Sequence, residues 1–467
     1  MEKYYLAIDI GASSGRHILA HKKNGKMKLE EIYRFPNGLM KKDGELCWDI
    51  DQLYTEIKTG MKECVKLNKI PVSVGIDTWA VDFVLLDAKG QRIGNPVAYR
   101  DGRTKGMDER VYSFLSEEKL YQRIGIQKQI FNSIYQLMAI KENHPEQMEQ
   151  AEKMLMIPDY FHSLLCGKTV TEYTNATTTS LVDPETNEWD MELIDLLGFK
   201  KEIFQEIKMP GTVLGDLSEE IQKEVGFNCK VVLPATHDTG SAVMAVPSNK
   251  DDVLYISSGT WSLMGTELAK ANCSKESRQR NFTNEGGYDH RFRFLKNIMG
   301  LWMIQNVKKE IGEGLSFGEI CDLASKETIT SIVDCNDDRF LAPDSMTEEV
   351  KKACKESNQD IPNGVGQVAS VIYRSLAKCY ADTIDEIEEI TKCKYDTVHI
   401  VGGGANADYL NRLTANETKR TIYAGPTEAT AIGNIAAQMI AEKELEDLTE
   451  ARSCIRDSFP LKQYDPQ

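Results

Sequence analysis

Two stretches of this chain share one order: a strand, a turn of small residues, and a second strand. They are "YYLAIDIGASSGRHILAHK", beginning at Tyr4, and "VLYISSGTWSLMG", beginning at Val253. In each, β-branched and aromatic residues flank the turn, and the residues after it remain extended in character rather than helix-forming. A unit that recurs once past the middle of the chain reads as an approximate duplication, hence two similar domains. The length agrees, because 467 residues exceed what one hydrophobic core usually organises. The polar run "PSNKDD" at Pro247 to Asp252 marks the expected boundary. It divides a first domain over 1–246 from a second over 253–445, with a C-terminal tail over 446–467.

Within the first domain, "NGK" at Asn24 to Lys26 predicts a second hairpin turn, so the chain opens as a three-stranded antiparallel meander. Ile50, Leu53, Ile57, Met61, Cys64 and Val65 then recur at helical spacing behind Asp49, a residue suited to N-capping. The strand "VSVGID" follows. In the second domain, Val368, Val371, Ile372, Leu376, Tyr380, Ile384 and Ile387 form the stripe of one long helix. It leads into "DTVHIVGGGANADYLNRL", a strand, three glycines and a helix, and then "TIYAG" and "EATAIGNIAAQMIA" repeat strand and helix. Alternating β and α elements after an antiparallel start imply an α/β fold with a mixed sheet flanked by helices in each half.

A formal charge of -16 gives the molecule a field that repels phosphate backbones, so nucleic acid is excluded as a partner. Small anionic ligands remain compatible, since backbone N–H groups and a divalent cation hold a phosphate inside an acidic protein. The eleven cysteines show no C-x-x-C pair and read as reduced thiols. With no signal-peptide core and no apolar run of spanning length, a cytoplasmic protein without membrane attachment is expected.

"DIGASSGR" joins an acidic residue at a strand end, Asp9, to a turn that lets backbone N–H groups approach an anion. The same turn also serves as an ordinary tight hairpin, and Asp9 fits two roles, Mg²⁺ ligand or structural cap. "SSGTWS" at Ser257 to Ser262 supplies a second such turn, and two of them facing each other grip the phosphates of a nucleotide. "VGGGAN" admits a close-lying ligand such as the adenosine of ATP, or is a connection that needs positive φ. In "LPATHDTGSAV", Asp238 is either the N-cap of the helix from Thr239 onward or a general base for a hydroxyl. Trp79 and Asp82 suit a sugar, an aromatic face and a hydroxyl acceptor, and Trp79 equally suits a core.

These runs, with "VAYRDGRT", "IPDYFHSLLCGK", "EYTNATTT", "NEGG", "LKNIMGLW" and "NDDRF", resemble the FGGY carbohydrate kinases of the actin-like ATPase superfamily over nearly the whole chain. "TNATTT", "LKNIMGLW" and "NDDRF" are similar to its L-rhamnulose-phosphorylating branch. The resemblance implies two actin-like ATPase (ribonuclease H-like) domains with the active site in the cleft between them. It implies ATP with Mg²⁺ as cofactor and L-rhamnulose as substrate, phosphorylated at its 1-hydroxyl. ATP contacts are implied at Ala12, Ser13, Ser14, Gly15 and Arg16, at Thr260 and Gln305, and within Gly402, Gly403 and Gly404. Sugar contacts are implied at Ala80, His237, Asp238, Thr239 and Asn297, with Asp238 as the base. The branch often carries glycine where this chain has Ala80.

Overall fold

The computed structural model describes residues 2–467. The chain forms two compact units, and neither is a single run of sequence. The first takes the residues up to Ala245, then Leu268–Phe294 and Thr430–Ser458; the second takes Val246–Glu267, Leu295–Ala429 and Phe459–Gln467. The second segment expected from the sequence, 253–445, therefore contributes to both units. Nor is 446–467 a loose tail: Leu448–Ser458 is a helix of the first unit that buries Ala451, Cys454 and Ile455.

The first unit is built on strands β1 (Tyr4–Ile10), β2 (Ser14–Lys23) and β3 (Lys26–Pro36), helix α1 (Ile50–Lys66), and strands β4 (Pro71–Thr78), β5 (Val213–Asp216) and β6 (Lys230–Val232). Their order in the sheet is β5-β6-β4-β1-β2-β3. The β2–β3 hairpin closes on Asn24 and Gly25, both at positive φ (52° and 75°), as a turn that matches strand twist requires. Asp49 accepts a hydrogen bond from the Gln52 N–H and starts α1. The apolar stripe of α1 is buried from Ile50 to Cys64, whereas Val65 lies beside it and is exposed. Strands β4 and β6 run parallel to β1, so the carboxyl ends of three strands meet along one edge of the sheet. Ligands of open α/β sheets bind along such an edge.

The second unit repeats the plan with β7 (Val253–Ser258), β8 (Trp261–Leu268, its last residue in the first unit), β9 (Phe292–Met299, its first three residues in the first unit), helices α2 (Trp302–Ile311) and α3 (Gly364–Thr391), and strands β10 (Thr397–Val401), β11 (Thr421–Ala424) and β12 (Lys462–Tyr464). Strand β7 pairs antiparallel with β8 and parallel with β10, and β10 pairs parallel with β11. The seven stripe residues expected on α3 are all buried. The eleven cysteines are free thiols, and among the described residues no helix is long and apolar enough to cross a membrane.

Candidate active site

Along the edge of the first sheet, register decides which side chains meet. Asp9 on β1 pairs with Asp77 on β4, which puts two carboxyl groups side by side. One strand further, Thr78 bridges to His237 in parallel register, and its N–H donates to the Thr236 carbonyl at 2.9 Å. That brings Asp238 to the same place. Asp238 is the first residue of a short helix, Asp238–Met244, whose N-cap position belongs to His237. The capping role considered for Asp238 therefore does not hold. Its Oδ1 accepts the Thr239 N–H at 2.6 Å and faces the Thr239 hydroxyl at 3.2 Å.

The three carboxyl groups differ in setting. Asp77 is buried; its Oδ2 accepts from the Asn434 side chain at 2.6 Å while Oδ1 has no partner. Loss of hydration, and then the charge of Asp9, hold its pKa well above the carboxylate range. Asp9 gives Oδ2 to Arg16, which donates from Nε at 3.0 Å and Nη2 at 2.7 Å. Asp238 keeps 34% of its side-chain surface, yet desolvation raises its pKa, with His237 acting in the opposite sense and Asp9 adding to the rise. A carboxylate whose proton affinity is raised while one oxygen stays accessible is suited to take a proton.

The backbone beneath His237 and Asp238 hangs on Glu172 of the "EYTNATTT" run. Its carboxylate accepts from the Thr174 N–H (2.8 Å) and hydroxyl (2.6 Å) and from the Thr236 N–H (2.9 Å) and hydroxyl (2.7 Å). The Thr174 hydroxyl in turn accepts the His237 N–H at 3.3 Å. His237 itself lies 3.4 Å from Asp238 Oδ1 through Nε2, and its Nδ1 meets Arg293 Nη2 at 3.0 Å and Glu285 Oε2 at 3.3 Å.

The loop after β4 corrects one expectation. Asp82 is 1% exposed. Its Oδ2 accepts the Trp48 and Trp79 indole N–H groups at 2.7 and 2.9 Å and the Tyr99 N–H at 3.0 Å. Its Oδ1 accepts the Gln136 amide at 3.0 Å, so both oxygens are engaged inside the protein and shielded from a sugar. Asp82 instead fixes an aromatic wall in which Trp48 and Trp79 lie 4.0 Å apart, centroid to centroid. Trp79 belongs to that buried wall rather than covering an open ring. Val81 holds φ at 67°, a costly conformation for a β-branched residue. The Ser133 hydroxyl (2.5 Å) and Gln136 amide (3.2 Å) pin its carbonyl there, leaving half-buried Ala80 at the loop crest.

The turn from Ala12 to Arg16 is stitched by Gly11 N–H to Ser14 O (2.9 Å) and Asn37 N–H to Ser13 O (3.0 Å). Ser13 is exposed and Ala12 and Ser14 half-buried, so their backbone is reachable. Gly15 has another reason to be glycine: a Cβ there would stand 2.1 Å from the Phe35 ring.

In the second unit, Ser257 on β7 pairs with Val401 on β10, so the turns that follow these strands lie side by side. Gly402 has φ 85°, and a Cβ on Gly404 would sit 1.9 Å from the Ser258 Oγ. These glycines let the turn lie against the end of β7, which leaves Gly259 and Thr260 exposed. The Trp302 N–H donates to the Thr260 carbonyl at 3.1 Å, which fixes the start of α2, the helix that carries Gln305. Thr260, Gln305 and Gly402 to Gly404 thus belong to one unit. Asn297, on β9, also belongs to it and not to the unit that holds Ala80, His237, Asp238 and Thr239.

Sequence reasoning missed Glu285, Arg293, Asp77, Glu172 and Asn434 as members of the site. "NEGG" and "EYTNATTT" contain two of them but carry no local pattern that assigns a role. Arg293 stands between Phe292 and Phe294 with no local sign that it is buried, and the fold buries it completely.

Family models match both halves of the chain: the N-terminal domain of the FGGY family of carbohydrate kinases over residues 4–245 and its C-terminal domain over 254–442. Among similar proteins, a rhamnulokinase of Oceanobacillus iheyensis is 50% identical over 99% of this chain and 98% of its own length. One of Bacillus subtilis is 44% identical over 99% of this chain and 95% of its own. Among solved structures, a gluconate kinase of Lactobacillus acidophilus superposes with TM-score 0.82 at 18% identity, covering 100% of this chain and 94% of that one. A ligand-bound xylulose kinase of the same organism gives 0.81 at 18% identity, over 100% and 94%. With the two domain models matched over residues 4–245 and 254–442, this chain belongs to the FGGY family of carbohydrate kinases.

Proposed function

We propose that this protein transfers the terminal phosphoryl group of ATP to the 1-hydroxyl of L-rhamnulose, giving L-rhamnulose 1-phosphate and ADP in L-rhamnose catabolism, with Asp238 as general base. The observation that carries the chemistry is the setting of Asp238: a partly accessible carboxylate of raised proton affinity, with Oδ1 tied to Thr239 and Oδ2 making no hydrogen bond among the described residues. The identity of the sugar is supported by the rhamnulokinase relatives over nearly full length.

Phosphoryl transfer asks the protein for position, charge stabilisation and a place for the hydroxyl proton. On this reading Oδ2 of Asp238 receives the proton of the 1-hydroxyl as its oxygen attacks phosphorus. Backbone groups near Ala80, with His237, Thr239 and Asn297, hold the other hydroxyls. The Ala12–Arg16 turn, Thr260, Gln305 and Gly402 to Gly404 hold the nucleotide. Among the described residues no three His, Cys, Asp or Glu side chains form a metal cage. Mg²⁺ typically binds one or two carboxylates together with substrate phosphates. Asp9 would supply the carboxylate through Oδ1, since Oδ2 belongs to Arg16. When bound, the cation neutralises charge on the transferring group. Free thiols and the need for ATP favour a cytoplasmic setting.

A coupled assay of ADP release over a panel of ketoses and polyols tests the proposal. L-rhamnulose should give the highest kcat/KM. Preference for another ketose would move the substrate, and ADP release indifferent to every sugar would make the protein an ATPase instead.

A further inference from the structure

Arg293 is a charged side chain wholly inside the protein, at 0% exposure. It donates from Nε to the Gly286 carbonyl at 2.8 Å, pairs with Glu285 at 3.1 Å, and reaches His237 Nδ1 with Nη2 at 3.0 Å, while Nη1 has no partner. Burying a guanidinium with one donor unmet is destabilising compared with an apolar residue of like volume, so stability alone does not account for it. What it touches does.

An arginine only donates hydrogen bonds. For Nη2 to bond Nδ1, that nitrogen must present its lone pair, and the ring proton must sit on Nε2. Nε2 is the atom 3.4 Å from Asp238 Oδ1. We infer that Arg293 is a positioning residue: it holds His237 as the neutral Nε2–H tautomer, turned so that this N–H and the Thr239 N–H both engage Oδ1 of Asp238 and leave Oδ2 for the substrate hydroxyl. A proton on Nδ1 would set two donors face to face at 3.0 Å. Glu285 Oε2 lies 3.1 Å from the Arg293 guanidinium, whose charge it balances, and 3.3 Å from Nδ1, for which Arg293 Nη2 at 3.0 Å is the nearer partner. The inference rests on Asp238 being the base, but its first readout does not.

That readout is the ¹⁵N spectrum of the His237 ring in the full-length, sugar-free protein, assigned by loss of its signals in His237→Asn. A bare Nδ1 and protonated Nε2 at neutral pH are expected; a proton on Nδ1, or on both nitrogens, overturns the inference whatever Asp238 does. In Arg293→Met the tautomer should change and kcat should fall at least ~10-fold, the scale on which losing a partner that orients a functional histidine acts, with nucleotide affinity unchanged. An unaltered ring and unaltered kcat in that variant contradict it. Should Arg293→Met fail to fold, Glu285→Gln decides: the Nε2–H tautomer should persist, and a switched tautomer would assign control to Glu285. In an Asp238→Asn background, Arg293→Met should cause no further loss of kcat; a full additional loss would give Arg293 a role independent of the base.

Discussion

The strand ends of the two units meet the same topological problem with opposite chemistry. In the first unit the edge gathers Asp9, Asp77 and Asp238, and burial, with the charge of Asp9 adding to it, raises the proton affinity of Asp77 and Asp238. In the second unit the corresponding edge holds Ser257, Ser258 and Gly402 to Gly404, without an acidic group in the turns. On the proposed reading, one edge manages a proton and the other lets backbone come close to an anion. A duplicated plan thus diverged at its strand ends, where side chains are least constrained by packing.

The difference can be broken most severely from below the acidic edge. Glu172→Ala removes the acceptor for four donors on Thr174 and Thr236, and should destabilise the first unit by about 3–5 kcal/mol, as loss of a buried polar network does. Denaturant unfolding followed separately by probes in each unit would show it. The second unit should keep its midpoint.

On the other edge, Gly404→Ala forces a methyl into the space of the Ser258 hydroxyl, an overpacking of about 1–3 kcal/mol. It should weaken nucleotide binding by about 5- to 100-fold if that strain falls on the bound conformation, measured by calorimetry with ATP. Sugar binding measured without nucleotide should be unaffected.

Much of the scaffold was legible because its signals are local. Asn24–Gly25 specified a hairpin, Asp49 and the residues from Ile50 to Cys64 specified a helix, and a seven-residue stripe specified α3. Val65 was misplaced because one residue of error along a helix turns a side chain by about 100°. The candidate site could be grouped from sequence only among chain neighbours such as His237, Asp238 and Thr239. It was opaque where partners come from far along the chain. Asp82 looked like a sugar ligand because nothing nearby in sequence announces that Trp48, Tyr99 and Gln136 occupy its oxygens. Asn434 reaches Asp77 from a helix that a single cut through the chain assigns to the other domain.

A smaller effect concerns Asp77. The folded protein raises its pKa, so the stability linked to that proton is present at acid pH and is lost as pH rises through the folded-state value. Asp77→Asn has no such proton to lose. It should therefore raise the melting temperature of the first unit at pH 7 by about 2–4 °C, the shift that ~1 kcal/mol makes in a unit of this size. The gain should vanish towards pH ~4, where the unfolded aspartate is itself protonated. An equal gain at both pH values would mean that charge is not the cause.

The most direct test of the account is Asp238→Asn, with kcat for L-rhamnulose phosphorylation, ATP affinity and thermal unfolding measured on the same preparation. Loss of a general base predicts a fall in kcat of at least ~10²-fold with folding and ATP affinity nearly unchanged. Turnover within a few fold of the parent protein would contradict it and leave Asp238 a structural residue at the start of its helix.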